Sequence, residues 1–208
     1  MQQKSSMRWV ILFILVFGTA MLNFSNLIFA SRPTDVMEQF NMTQTQLTAI
    51  STVGQLPGAF FSVWLGHMID KKGVRMLPGI LLALAAACQI WRCFAADYVS
   101  LFIITFLAGA FFLPTQILQG KLLGVWFSRE EMGTAMGIYG AGAGLGTTLA
   151  FAFGGLFPTI GIAFMVIAAG YVIEAALWFL FIKMPAGLAG GPVSEAPKGN
   201  LKNVFKSK

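Results

Sequence analysis

Charge is what this 208-residue chain has least of: 14 Lys and Arg and 8 Asp and Glu make up 11% of it, against 57% hydrophobic residues. A soluble domain of this size needs far more polar surface, so a soluble globular protein is excluded. Histidine occurs once, as His67, and cysteine twice, as Cys88 and Cys93. A lone histidine with no second histidine or thiol at ligand spacing excludes a metal site. The cysteines stand five apart, on different faces of one apolar stretch, and read as inert packing residues. His-Glu-x-x-His, Gly-x-Ser-x-Gly and Gly-x-x-x-x-Gly-Lys-(Ser/Thr) are all missing, so nothing points to an enzyme or to a bound cofactor. Alternating strands of about ten residues are missing too, which excludes a membrane β-barrel.

What remains is apolar residues in long runs. A helix needs about 20 mostly apolar residues to cross a hydrocarbon core roughly 30 Å thick, and the chain offers six such stretches: Arg8 to Ala30, Gln46 to Ile69, Met76 to Ala96, Tyr98 to Gly120, Met132 to Phe157 and Ile162 to Ile182. Helices satisfy their own backbone hydrogen bonds, as lipid requires. The expected fold is therefore an all-α membrane protein of six transmembrane helices, residues 1–182, followed by a tail, residues 183–208. The first run is too long for a signal-peptide core, and Ala30-Ser31-Arg32-Pro33 is a weak cleavage site, so it reads as an uncleaved helix.

The cations are unevenly placed. Lys4, Arg8, Lys71, Lys72, Arg75, Lys121, Arg129, Lys183, Lys198, Lys202, Lys206 and Lys208 fall on one side of the membrane, and only Arg32 and Arg92 on or near the other. Positive charge resists translocation, which puts both termini in the cytoplasm of a multi-pass protein of the cell membrane. The net charge of +6 is mostly this asymmetry, so it carries no nucleic-acid partner.

Between the second and third runs the chain reads Gly66-His-Met-Ile-Asp70-Lys71-Lys-Gly73-Val-Arg75. Gly66 and Gly73 permit close helix approach and a tight reversal. Asp70, at the end of the second run, can pair with neighbouring cations or with the positive N-terminus of a facing helix. The turn resembles Gly-x-x-x-Asp-(Arg/Lys)-x-Gly-x-(Arg/Lys), the motif between the second and third helices of major facilitator superfamily transporters. That resemblance implies one N-terminal half of such a transporter, with three-plus-three inverted repeats. It also implies a gate in which Asp70 holds the cytoplasmic side closed, supported by Lys71 and Arg75. Residues 183–208 resemble the loop joining the two halves. Within the tail Leu201, Val204 and Phe205 share one helical face among lysines, which suits an anionic inner leaflet.

Other positions depart from the family's proton-driven drug exporters. Gln116-Ile-Leu-Gln119-Gly120 stands where those carry Arg-x-x-Gln-Gly, and the fifth run has many glycines but no Gly-Pro. Two small-residue motifs interleave there, Gly140-x-x-x-Gly144 and Gly142-x-x-x-Gly146, which let backbones approach closely. Pro57-Gly58 and Pro114 can each bend a helix. Polar groups inside apolar helices should face a partner or a cavity. Asn23 with Asn26, Gln116 with Gln119, and Gln55 are those groups, and the resemblance implies that they line a substrate pathway, with interhelical hydrogen bonding as the alternative.

Two charges lie inside the runs. Glu174 is about 18 Å down the sixth at ~1.5 Å per residue, near mid-membrane, where a carboxylate needs a partner or a proton. It is a candidate for proton coupling, with Tyr171 or Arg92 as a structural partner instead. Arg92, about a turn and a half from the outer end of the third run, can snorkel to the interface or, with Arg32, attract anions. The latter would make the protein an organic anion carrier.

Alternating access needs two bundles rocking about a midplane site, and this chain holds one. The expected partners are the lipid bilayer, a small-molecule substrate, and a second six-helix half, either a separate chain or a second copy. A truncated or non-transporting membrane interaction subunit is the alternative, and a pore-forming oligomer a third reading.

Overall fold

The structure, a computed structural model, describes residues 6–58, 61 and 76–182. The charged turn from Gly66 to Arg75 and the tail from Lys183 onward, on which the gating and tail expectations rest, lie outside the described residues. Every regular element described is a helix: α1 (Met7–Ser31), α2 (Pro33–Gln39), α3 (Gln44–Val53), α4 (Met76–Arg92), α5 (Tyr98–Trp126), α6 (Met132–Gly154) and α7 (Ile160–Phe181). Four of these, α1, α5, α6 and α7, carry stretches long and apolar enough to cross a membrane, while α4, at 17 residues, is apolar but shorter. The second expected span is seen only in part, as α3 and a turn at Gly54 and Gln55 followed by Leu56, Pro57 and Gly58.

Helix starts are written locally. Thr43 and Gln46 form a capping box at α3, and Asp97 and Ser100 form another at α5, each satisfying backbone N–H groups that the helix leaves orphaned. Thr159 accepts from the Ile162 amide at the start of α7. The α2–α3 reversal uses Asn41 at φ 47°, a left-handed conformation that asparagine tolerates better than most residues. Helix α5 runs on through Pro114 and ends later than expected, at Trp126. Helix α4 ends earlier, at Arg92, so that arginine is its last residue rather than one set a turn and a half inside.

Helix α1 is the axis of the bundle. It packs most extensively along α6 and then along α7, and α4 fills the far side by packing on α5 and α7. Its buried residues, among them Ile11, Leu15, Thr19, Phe24, Ser25 and Ile28, lie on more than one face. The α1–α6 seam is made by glycine. A Cβ added to Gly142 would lie 2.8 Å from the Val16 carbonyl oxygen, and one added to Gly146 would lie 2.1 Å from that of Ala20. The other interleaved pair does no such work: around Gly140 and Gly144, and around Gly133 and Gly137 on the same face, an added Cβ meets nothing within 4 Å. A second close approach joins α3 to α5, where a Cβ on Gly109 would lie 1.9 Å from the Gly54 oxygen.

Candidate functional site

Polar side chains inside this apolar bundle gather in two places. The first is centred on Arg92. Its guanidinium is 2% exposed and points into the bundle, so it does not snorkel to the interface. Nη1 donates to Ser25 Oγ of α1 at 2.9 Å and to Gln89 Oε1, one turn back on α4, at 3.0 Å. Gln89 Nε2 donates to the same Ser25 oxygen at 3.2 Å. The rings of Phe29 and Phe164 lie 4.3 and 4.4 Å from the guanidinium carbon, giving cation–π contacts from α1 and α7. Arg92, Ser25, Asn26, Gln89, Thr105 and Tyr171 contribute to the wall of a small cavity beside Gly54, with room for little more than one water.

The second cluster sits between α1, α5, α6 and α7. Glu174 is 1% exposed, and its carboxyl fills the notch left by Gly18, where an added Cβ would stand 2.0 Å from Oε1. Beside Gly18 in the chain, Thr19 donates to Gln119 Oε1 at 3.3 Å. Tyr139 of α6 donates to Gln116 Oε1 at 3.2 Å. Glu174 Oε2, Gln116 Nε2 and Gln119 Nε2 are buried without a hydrogen-bond partner among the described residues.

The expected pathway residues therefore divide. Gln119 is in the interior and serves an interhelical bond, while Gln116 is half-buried and bonded to Tyr139. Asn26 lines the Arg92 cavity. Asn23, half-buried, turns back to donate to the Thr19 carbonyl of its own helix at 2.9 Å. Gln55 is exposed at the turn after α3. Glu174 and Arg92 are not partners: the ion pairs among the described residues are Arg8 with Glu131, at 2.7 Å, and Arg32 with Asp35. Arg32 also donates to the Phe157 carbonyl, so it is occupied within the fold rather than held out toward anions. Ser25, Gln89, Thr19 and Tyr139 were not anticipated. Gln89 carried a signal, because it stands three residues before Arg92 and shares its helix face.

Apolar spanning helices closed around buried polar clusters define an integral, multi-pass membrane protein. The family model of the Major Facilitator Superfamily matches residues 9–208. The chain belongs to that superfamily. It is similar to the probable nitrate/nitrite antiporter NarK1 of Thermus thermophilus, at 26% identity over 56% of this chain and 26% of the relative. It is also similar to the probable L-galactonate transporter of Escherichia coli (strain K12), at 22% over 76% of this chain and 37% of the relative. The hexuronate transporter of Bacillus subtilis (strain 168) matches at 25% over 71% of this chain and 36% of the relative. Among solved structures, the fold is that of a bacterial homolog of the human lysosomal transporter Spinster in an inward-facing, unoccupied conformation. The TM-score is 0.72 at 15% identity, over 93% of this chain and 47% of that one. The chain thus spans less than half the length of the relatives it matches.

Proposed function

We propose that residues 1–182 form the N-terminal six-helix half of a secondary transporter, with both termini cytoplasmic, that moves a small solute by alternating access once joined to a second six-helix bundle. The observation that carries this is the two-sided α6. One row of small residues is consumed against α1, and the opposite row, Gly133, Gly137, Gly140 and Gly144, stands open. Lipid is served equally well by Leu or Phe, whereas a small-residue face favours close approach of another helix. The partner is a separate chain or a second copy of this one. Residues 183–208 act as the linker segment, and no enzymatic step or cofactor is invoked.

Within this reading Gly66, Asp70, Lys71, Gly73 and Arg75 form the cytoplasmic gate. Asn23, Asn26, Gln55, Gln116 and Gln119 are the groups that line the solute pathway. The solute is an organic anion. Two of the relatives, named for L-galactonate and hexuronate transport, support that class. Glu174, a buried carboxyl with an unpartnered oxygen set against Gly18, is the group that takes up and releases the coupling proton.

The test is the native mass of the chain purified gently from its own membranes, followed by flux in proteoliposomes. A complex with itself or with another six-helix protein that carries saturable anion flux supports the proposal. A lone monomer, or a complex without flux, overturns it in favour of a truncated or non-transporting subunit, and channel-like conductance would favour a pore.

A further inference from the structure

The Arg92 cluster leaves an unmet electrostatic demand inside a single half. A guanidinium has five N–H donors and stays charged in proteins. Nη1 is used by Ser25 and Gln89, whereas Nε and Nη2 are buried without a hydrogen-bond partner among the described residues. Those two nitrogens form one edge of the plane, the side-on fork that grips an anion with parallel N–H groups. Phe29 and Phe164 pack their rings against the guanidinium carbon. Among the described residues neither Asp nor Glu lines the adjoining cavity, which adds Ser25, Asn26 and Tyr171 as hydroxyl and amide groups. The Ser25 oxygen accepts from both Arg92 and Gln89. A buried cation without a counter-charge is strongly disfavoured, and the cation–π contacts offset only part of that.

We propose that this pocket is a binding site for a small monovalent inorganic anion of halide size, with Arg92 as the cation that holds it. The room available, little more than one water, excludes an organic carboxylate, so the pocket does not hold the solute itself, although Asn26 is common to its wall and to the proposed pathway. Because the pocket is built wholly from helices of this half, it requires no second bundle and is independent of the transport proposal.

The experiment is thermal unfolding of the purified protein, titrated with sodium chloride or bromide at constant ionic strength with sodium gluconate as filler. Specific binding to the folded state raises the midpoint saturably, so a rise with either halide, and none with gluconate, is expected. Arg92→Lys keeps the cation but removes the fork, and should raise the halide concentration for half-effect by roughly tenfold or more. No halide response, an equal rise in gluconate, or an unchanged titration in Arg92→Lys overturns the proposal. Bromide anomalous scattering from crystals of the unmodified protein gives a readout independent of the variant. A peak against the Arg92 edge is expected, and its absence is equally fatal.

Discussion

Gly146 lies so close to Ala20 that a Cβ added to it would stand 2.1 Å from the Ala20 carbonyl oxygen. A side chain at that point must push α6 away from α1, the most extensive helix contact in the bundle. Gly146→Ala is therefore expected to destabilise the chain by about 1–3 kcal/mol, as overpacking usually does. Gly144→Ala, on the open face, should be neutral or slightly stabilising, since alanine is about 1 kcal/mol better than glycine in a helix. Unfolding midpoints of the two variants in detergent decide the matter. If the open row receives a second bundle, Gly144→Leu should leave the midpoint nearly unchanged while lowering the yield of the larger complex.

That contrast marks where sequence reading ended. The long apolar runs gave the position of α1, α6 and α7 because span length is fixed by membrane thickness. Which of the two interleaved glycine rows packs was not legible, because a one-dimensional spacing says which residues share a face and not which neighbour that face meets. Arg92 shows the same limit. Snorkelling and inward burial differ only through Phe29, Phe164 and Ser25, all supplied by other helices. Helix α2 escaped notice because its seven residues, beginning at Pro33, have neither the length nor the hydropathy of a span. Glu174 was visible as a misplaced charge, but Gly18, the notch that receives it, was an ordinary glycine in an apolar run.

The Asp97 cap should give the N-terminal end of α5 a measurable acid sensitivity. Hydrogen bonds from the side chain and backbone of Ser100 hold the Asp97 carboxyl below its usual value of 3.8. A carboxyl depressed in the folded state contributes stability above its unfolded value, and loses that contribution as pH falls through the folded one. The cap's contribution is thus constant near neutrality and declines below about pH 4. Asparagine caps equally well and does not titrate, so the difference in midpoint between wild type and Asp97→Asn should change on acidification. A difference that stays flat from pH 7 to roughly 3 would show that the cap is not coupled to folding.

Asp70 is the residue on which the proposed gate turns. Its proposed partner is a helix N-terminus or cation of the second bundle, engaged in one conformation and released in the other. An interaction of about 1–2 kcal/mol at a helix terminus shifts a two-state balance by roughly five- to thirtyfold. Asp70→Asn should therefore leave assembly intact while changing transport rate by that order. Cysteine-accessibility measurements on the cytoplasmic side should show a higher open fraction. An unaltered open fraction would leave the turn as a connecting loop and nothing more.

Glu174 makes the sharpest claim, because a structural and a coupling role predict different things for the same side chain. If the carboxyl only fills the Gly18 notch, Glu174→Gln preserves shape and should preserve everything else. If it carries the coupling proton, Glu174→Gln should fold normally and still move solute down its gradient, but lose the response of flux to an imposed pH gradient. The packing contribution can be isolated separately. Gly18→Ala places a Cβ 2.0 Å from Glu174 Oε1, and should cost about 1–3 kcal/mol. Most of that loss should vanish when Glu174 is truncated to alanine, since the two residues are in contact and their effects are not additive. Coupling is established by loss of the pH response in Glu174→Gln together with intact stability, whereas a pH response equal to wild type removes the proton from Glu174 and leaves it a buried strut against α1.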